Sequence, residues 1–189
     1  MHINAQELTI PNPNKLGDLR LRFDLKTLFA AESRVEEIAF ITPLKGAELM
    51  SVFSAALRDL STYLAQLHYH SATAAKKKRE RRAVVVVDLI PAKLAERKLS
   101  NNDSSREAII ELDPEYSVLC DIENEVEAAF VFVREKFRSI ESHLNAVKKA
   151  MDATAGLVGM ANPLLVQPAP AAPVPTTTIN GLKIGKSQI

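Results

Sequence analysis

Between Glu115 and Ala155 the chain runs for 41 residues without a glycine or a proline. Across it, Leu119, Ile122, Val126, Ala129, Val133, Phe137, Ile140, Leu144, Val147 and Met151 step by 3, 4, 3, 4, 4, 3, 4, 3 and 4. That is a heptad seam with one four-residue insertion, which only a helix can present on one face. At the α-helical rise the rod is about 60 Å long, more than a small globular domain needs. A seam of this length requires a partner, and residues 43–90, another copy of the chain, or both can supply it.

Residues 43–90 carry a matching signal. Thr42-Pro43 is a helix start, with Thr as N-cap and Pro in the first turn. Leu49, Phe53, Leu57, Leu60, Leu64 and Leu67 then recur at three and four. Val84-Val85-Val86-Val87 interrupts the reading: four β-branched residues favour a strand, continuity favours a helix, and both stay open. Pro91 kinks or restarts the helix, and Ala92–Leu99 is helical again. Ser100–Ser105 is a loop, and Asp113-Pro114-Glu115 starts the long rod.

The fold class is therefore mainly α, a long antiparallel helical hairpin or bundle. A short extended arm over 1–24 precedes a helical domain over 25–155. In the arm, Leu19-Arg20-Leu21-Arg22-Phe23 alternates apolar and basic, as a short strand would, and Asp24 is placed to cap a helix through about Ala39. Gly156 and Gly159 are expected to end the rod. Residues 156–189 form a Pro-rich flexible, disordered tether, whose terminal stretch Ile179–Ile189 is either a docking peptide or plain tail. Neither the N-terminus nor any apolar run reads as a secretion signal or a membrane span, so a cytoplasmic protein without a membrane partner is expected.

Charge is segregated. Six bases in seven residues, Lys76, Lys77, Lys78, Arg79, Arg81 and Arg82, interrupted only by Glu80, stand in a chain whose net charge is +1. From Glu107 to Val133 there is no Lys or Arg but eight acids. Spread around a helix, the six bases can reach several phosphates, and Lys93 and Arg97 extend the patch. Aromatics are scarce (three Tyr, no Trp), so backbone contact should outweigh base stacking. The competing reading folds the basic run against the acidic stretch near Asp121–Glu127 as an internal charge pairing.

Chemistry for an enzyme is absent. His68 and His70 are two apart, about 200° around a helix, and cannot share a metal. Gly181–Ser187 falls one residue short of a phosphate-binding loop and lacks a following helix. Cys120, the lone cysteine, reads as a buried inert thiol. No metal or cofactor is expected.

The order of these parts resembles the phage UvsY-like recombination mediator family. The likeness lies in Ala74-Ala75-Lys76-Lys77-Lys78-Arg79 and in Leu112–Met151. Within the latter, Lys136-Phe137-Arg138-Ser139-Ile140 and Ala146-Val147-Lys148-Lys149-Ala150-Met151 echo a basic helical end. It covers roughly residues 43–151 and includes no signature motif. It implies a non-enzymatic factor in the host cytoplasm that binds single-stranded DNA. It also implies assembly through the C-terminal helix, at Val126, Val133, Phe137, Ile140, Leu144, Val147 and Met151, and contact with a recombinase and a single-strand-binding protein. The rival expectation is a scaffolding helical oligomer with no nucleic-acid role.

Overall fold

The structure, a computed structural model, describes residues 1–3, 6–14, 20–98 and 100–161, with side chains to Ala155 except that of Ile3. It divides into two units, Met1–Thr154 and Ala155–Ile189. Of the second, only the helical backbone to Ala161 is described, so the Pro-rich tether and the terminal stretch Ile179–Ile189 lie outside the described residues.

Two long helices dominate the first unit, α2 (Pro43–Val84) and α5 (Pro114–Ala161). Both begin where the sequence places a cap. Thr42 Oγ1 accepts the Lys45 amide at 3.4 Å, and Asp113 Oδ1 accepts the Tyr116 amide at 2.8 Å. They run antiparallel. Gly46 lies against Met151, the Phe53 ring lies 6.2 Å from that of His143, and Ser71 Oγ donates to Glu127 at 3.3 Å. As one position climbs, its partner descends.

Heptad spacing buries Leu49, Phe53, Ala56, Leu60, Leu67 and Ala74 of α2 against Ile122, Val126, Ala129, Val133, Ile140 and Val147 of α5. Phe137, Leu144 and Met151 pack half-buried on the same core. All seven residues assigned to self-association therefore face the partner helix of their own chain. Gly156 and Gly159 do not end α5, which continues to Ala161. A helical glycine costs only about 1 kcal/mol, too little to stop an established helix.

The N-terminal arm is more than one strand. β1 (His2–Ile3), β2 (Glu7–Pro11) and β3 (Arg20–Asp24) form an antiparallel sheet in sequence order, with Leu8 opposite Phe23 and Ile10 opposite Leu21. Leu8, Ile10 and Phe23 turn inward and join the main core. Strand alternation leaves Arg20 and Arg22 exposed. The helix expected from Asp24 to Ala39 is split into α1 (Lys26–Glu32) and a 3-10 segment, Val35–Phe40. The arm is fixed to its own chain. Tyr63 Oη donates to the Asp24 carbonyl at 2.8 Å, Thr27 Oγ1 to Asp59 at 2.8 Å, and Lys136 Nζ pairs with Glu32 at 2.7 Å.

Beyond α2 a π-helical turn, Val85–Leu89, leads into α3 (Ile90–Arg97). Pro91 explains it: the ring has no N–H and crowds the carbonyl four residues back. The ladder lengthens instead, and the Ile90 amide donates to the Val85 carbonyl. The Ser/Asn-rich loop is shorter than its sequence suggests. Asn102 Oδ1 accepts the Ser105 amide at 2.8 Å and starts α4 (Asp103–Glu111). Val85, Ile90, Leu94, Ile109 and Ile110 form a second, smaller core, with Val86, Leu89 and Tyr116 packed on it. No helix among the described residues is long and apolar enough to cross a membrane.

Candidate nucleic-acid interface

Seven residues make nearly two helical turns, so the basic run encircles the end of α2. Ala74 and Val85, both fully buried, mark the inward side. Lys78, Arg81 and Arg82 lie within about a quarter turn of that direction, whereas Lys76 and Arg79 project away from it. Lys77 sits on the flank.

The inward three meet carboxylates. Lys78 Nζ pairs with Glu123. Arg81 binds both oxygens of Asp113, at 2.9 and 2.7 Å, and reaches Glu115 at 2.8 Å. Arg82 pairs with Glu107 at 2.7 Å. The Asp113 side chain is 3% exposed, so this is a largely desolvated, bidentate pair. The electrostatics agree. The hydrogen bond from Arg81 holds the Asp113 carboxyl below the ordinary aspartate range, and Asp113 raises Arg81 in return. The hydrogen bond to Glu123 likewise raises Lys78. Lys93 adds a favourable field at Asp113.

The other bases are not committed in this way. Lys76 makes only a 3.7 Å contact with Glu80 one turn on, between side chains 73% and 61% exposed, and such pairs contribute little. Arg79 Nε donates to the Ala75 carbonyl at 3.3 Å. Among the described residues Arg79, Lys77 and Arg97 meet no carboxylate within ion-pair distance. Lys77 lines a shallow groove with Glu80, Arg81, Val84, Glu115 and Leu119.

The eight bases assigned to nucleic acid thus divide by what they meet. Lys78, Arg81 and Arg82 pair with acids of the same chain, and the charge of Lys93 helps to lower Asp113 without an ion pair. Lys76, Lys77, Arg79 and Arg97 do neither, apart from the weak Lys76–Glu80 contact. The internal pairing is real but displaced from Asp121–Glu127: of its partners only Glu123 lies there, and Glu107, Asp113 and Glu115 supply the rest. The second role of Asp113 was hidden by its first. As an N-cap it was legible, whereas its pairing with a residue 32 positions away has no local signal.

Other polar candidates are dispersed. His70 is half-buried, which lowers its pKa, and His143 packs beside Phe53. Cys120 is half-buried rather than fully enclosed. Among the described residues no three His, Cys, Asp or Glu side chains converge as a metal site. No family model, curated protein or solved structure matches this chain.

Proposed function

We propose that this protein binds single-stranded DNA through its phosphates, without sequence preference, as a non-enzymatic recombination mediator of the UvsY-like kind. The observation that carries the reading is the outward pair Lys76 and Arg79 with Lys77 on their flank, a local cation cluster that the chain's own acids do not neutralise across the hairpin. Arg97, exposed on α3, is a further candidate contact. The paired set, Lys78, Arg81 and Arg82, has a different part in this reading: it locks the end of α2 so that the outward cations are held on a rigid helix. Contact with a recombinase and a single-strand-binding protein rests on the family resemblance, as does self-assembly. Assembly would use a surface other than the α2–α5 seam, whose apolar face is taken up within the chain.

The test is fluorescence anisotropy of a labelled single strand across a salt series. Replacing Lys76, Lys77 and Arg79 together by Ala should weaken binding to all sequences alike. It should also reduce the salt slope by about 2, near 0.7 for each phosphate that is no longer neutralised. Unchanged slope and affinity in that variant would remove these residues from the interface.

A second reading has its own support. Three of six bases in the run close the hairpin, as expected of a helical scaffold in which charge serves only packing. A folded wild-type protein indifferent to oligonucleotides at low salt would select it.

A further inference from the structure

We propose that Tyr69 is a base-stacking platform for single-stranded nucleic acid, set between cations on the outward face of α2. The proposal rests on the phosphate-binding reading above and adds to it a contact with the bases themselves.

The three tyrosines differ in what they do for the fold. Tyr63 packs edge-on against Phe23, with ring centroids 5.3 Å apart, and its hydroxyl donates to the Asp24 carbonyl. Tyr116 packs on the smaller core, and burial raises its pKa. Tyr69 is 61% exposed. Its hydroxyl has no hydrogen-bond partner among the described residues, and its ring lies in a T-shaped arrangement with that of neighbouring His70, centroids 5.4 Å apart. Neither core explains an aromatic at this position.

Helical phase shows what the position shares. Tyr69, Ala72, Lys76, Arg79 and Ala83 fall on one face, opposite the buried row Leu67–Ala74, and all five are exposed. Arg58, also exposed, continues that face toward the start of α2. Lys76 lies two turns, about 10 Å, beyond Tyr69, and Arg58 lies three turns, about 16 Å, before it. From Leu60 to Arg79 α2 contains no Asp or Glu, so no carboxylate of this helix interrupts the track. Ala72, one turn on, adds little bulk beside the ring, which is 61% exposed.

An exposed aromatic between cations, with Glu80 beyond Lys76 as the first acid of α2 past the ring, fits a strand whose bases are unstacked. A duplex hides its base faces, so the track should favour single strands. Stacking on one ring is tolerant of sequence, in keeping with phosphate contacts that are equally tolerant.

The experiment compares the folded full chain with its Tyr69→Ala and Tyr69→Phe variants. The probes are a labelled oligothymidylate and an abasic strand of equal length, each titrated across salt. Tyr69→Ala should weaken oligothymidylate binding roughly 5- to 100-fold with the salt slope unchanged. Tyr69→Phe should keep wild-type affinity. The abasic strand should bind wild type and Tyr69→Ala alike, and more weakly than oligothymidylate binds wild type. Equal affinity of wild type for the two strands would overturn the stacking proposal and needs no variant to observe. Equal affinity of wild type and Tyr69→Ala for oligothymidylate would overturn it too. In either case an intact salt slope would leave the phosphate reading standing. No binding of either strand by wild type would overturn both.

Discussion

Arg81 and Asp113 form a two-pronged clasp between the end of α2 and the start of α5, with Nε and a terminal nitrogen donating to the two carboxylate oxygens at 2.9 and 2.7 Å. Asp113 also caps α5 through the Tyr116 amide, so one side chain fixes both the start of a helix and its attachment to its neighbour. Arg81→Met keeps the aliphatic stem but leaves a buried carboxylate with no paired cation and only the Tyr116 amide as partner, and should cost on the order of 3 kcal/mol. Asp113→Asn retains a capping side chain, so its cost isolates the missing charge. The double variant should lose less than the two single losses combined, because each single change strands the other partner. Strict additivity in chemical denaturation would show that the clasp has no energetic coupling.

The same pair sets an acid limit. Arg81 holds Asp113 below the ordinary aspartate value of 3.8, with help from the Tyr116 amide. A depressed carboxylate stabilises the fold fully above its unfolded value, and that stabilisation is lost as pH falls through the folded value. Thermal midpoints should therefore decline as pH drops below about 4, and Asp113→Asn should decline less steeply over that window. The decline should not vanish, since Glu37, held low by its hydrogen bond from Arg34, titrates in the same direction. At the alkaline end the sign reverses. Lys78, raised by Glu123, stabilises fully below the ordinary 10.5 and loses this as pH climbs through its folded value. Lys78→Met should flatten that limb. Parallel acid profiles for wild type and Asp113→Asn would contradict the assignment.

The two long helices were legible because burial imposes a period on them: Leu49, Phe53, Leu60 and Leu67 on one, Val126, Val133, Ile140 and Val147 on the other. Their starts were legible because Thr42 and Asp113 are capping residues beside prolines. The pattern fails where the period itself changes. Val85 and Ile90 share a core although they are five residues apart, a spacing that an α-helix splays by about 140° and a π turn aligns. No reading of Val84–Val87 as regular helix or strand could place both. The start of α4 was masked because Asn, Asp and Ser favour loops and N-caps alike. As for the site, helical phase could have set Lys76 and Arg79 apart from Lys78 and Arg81 from sequence, but not Lys77 from Arg82, which lie equally far from the buried side. Naming Asp113, Glu115 and Glu107 as partners required knowing where α4 and α5 return, which is a property of the tertiary fold.

Gly46 and Met151 provide a test of the helix register far from the charged end. A methyl group at Gly46 would sit 2.6 Å from Met151 Sδ and 2.7 Å from its Cγ. Alanine in a helix is favoured over glycine by about 1 kcal/mol, while displacing a flexible thioether costs a comparable amount. Gly46→Ala should then be nearly neutral in wild type. In a Met151→Ala background the obstruction is gone, and the same change should stabilise by about 1 kcal/mol. Equal effects in both backgrounds would mean that the two residues do not meet.

The seam itself separates a self-contained hairpin from a helix shared between copies. Ile140 is fully buried, in the core formed with Phe53 and Leu49 of the same chain. Truncating it to Ala removes buried surface and leaves a cavity, at a cost of about 3 kcal/mol. If α2 of the same chain is the partner, that loss is intramolecular. The denaturation midpoints of wild type and Ile140→Ala should then differ by the same amount at every protein concentration, whatever assembly the folded chain also makes. If the seam instead packs against a second copy, the unfolding equilibrium includes dissociation, and both midpoints climb as concentration rises. Denaturation at two widely separated concentrations, with sedimentation of the folded protein alongside, distinguishes the cases. Loss of assembly in folded Ile140→Ala, at a concentration where sedimentation shows wild type still assembled, would move Val126, Val133, Ile140 and Val147 from an intrachain core to a subunit boundary.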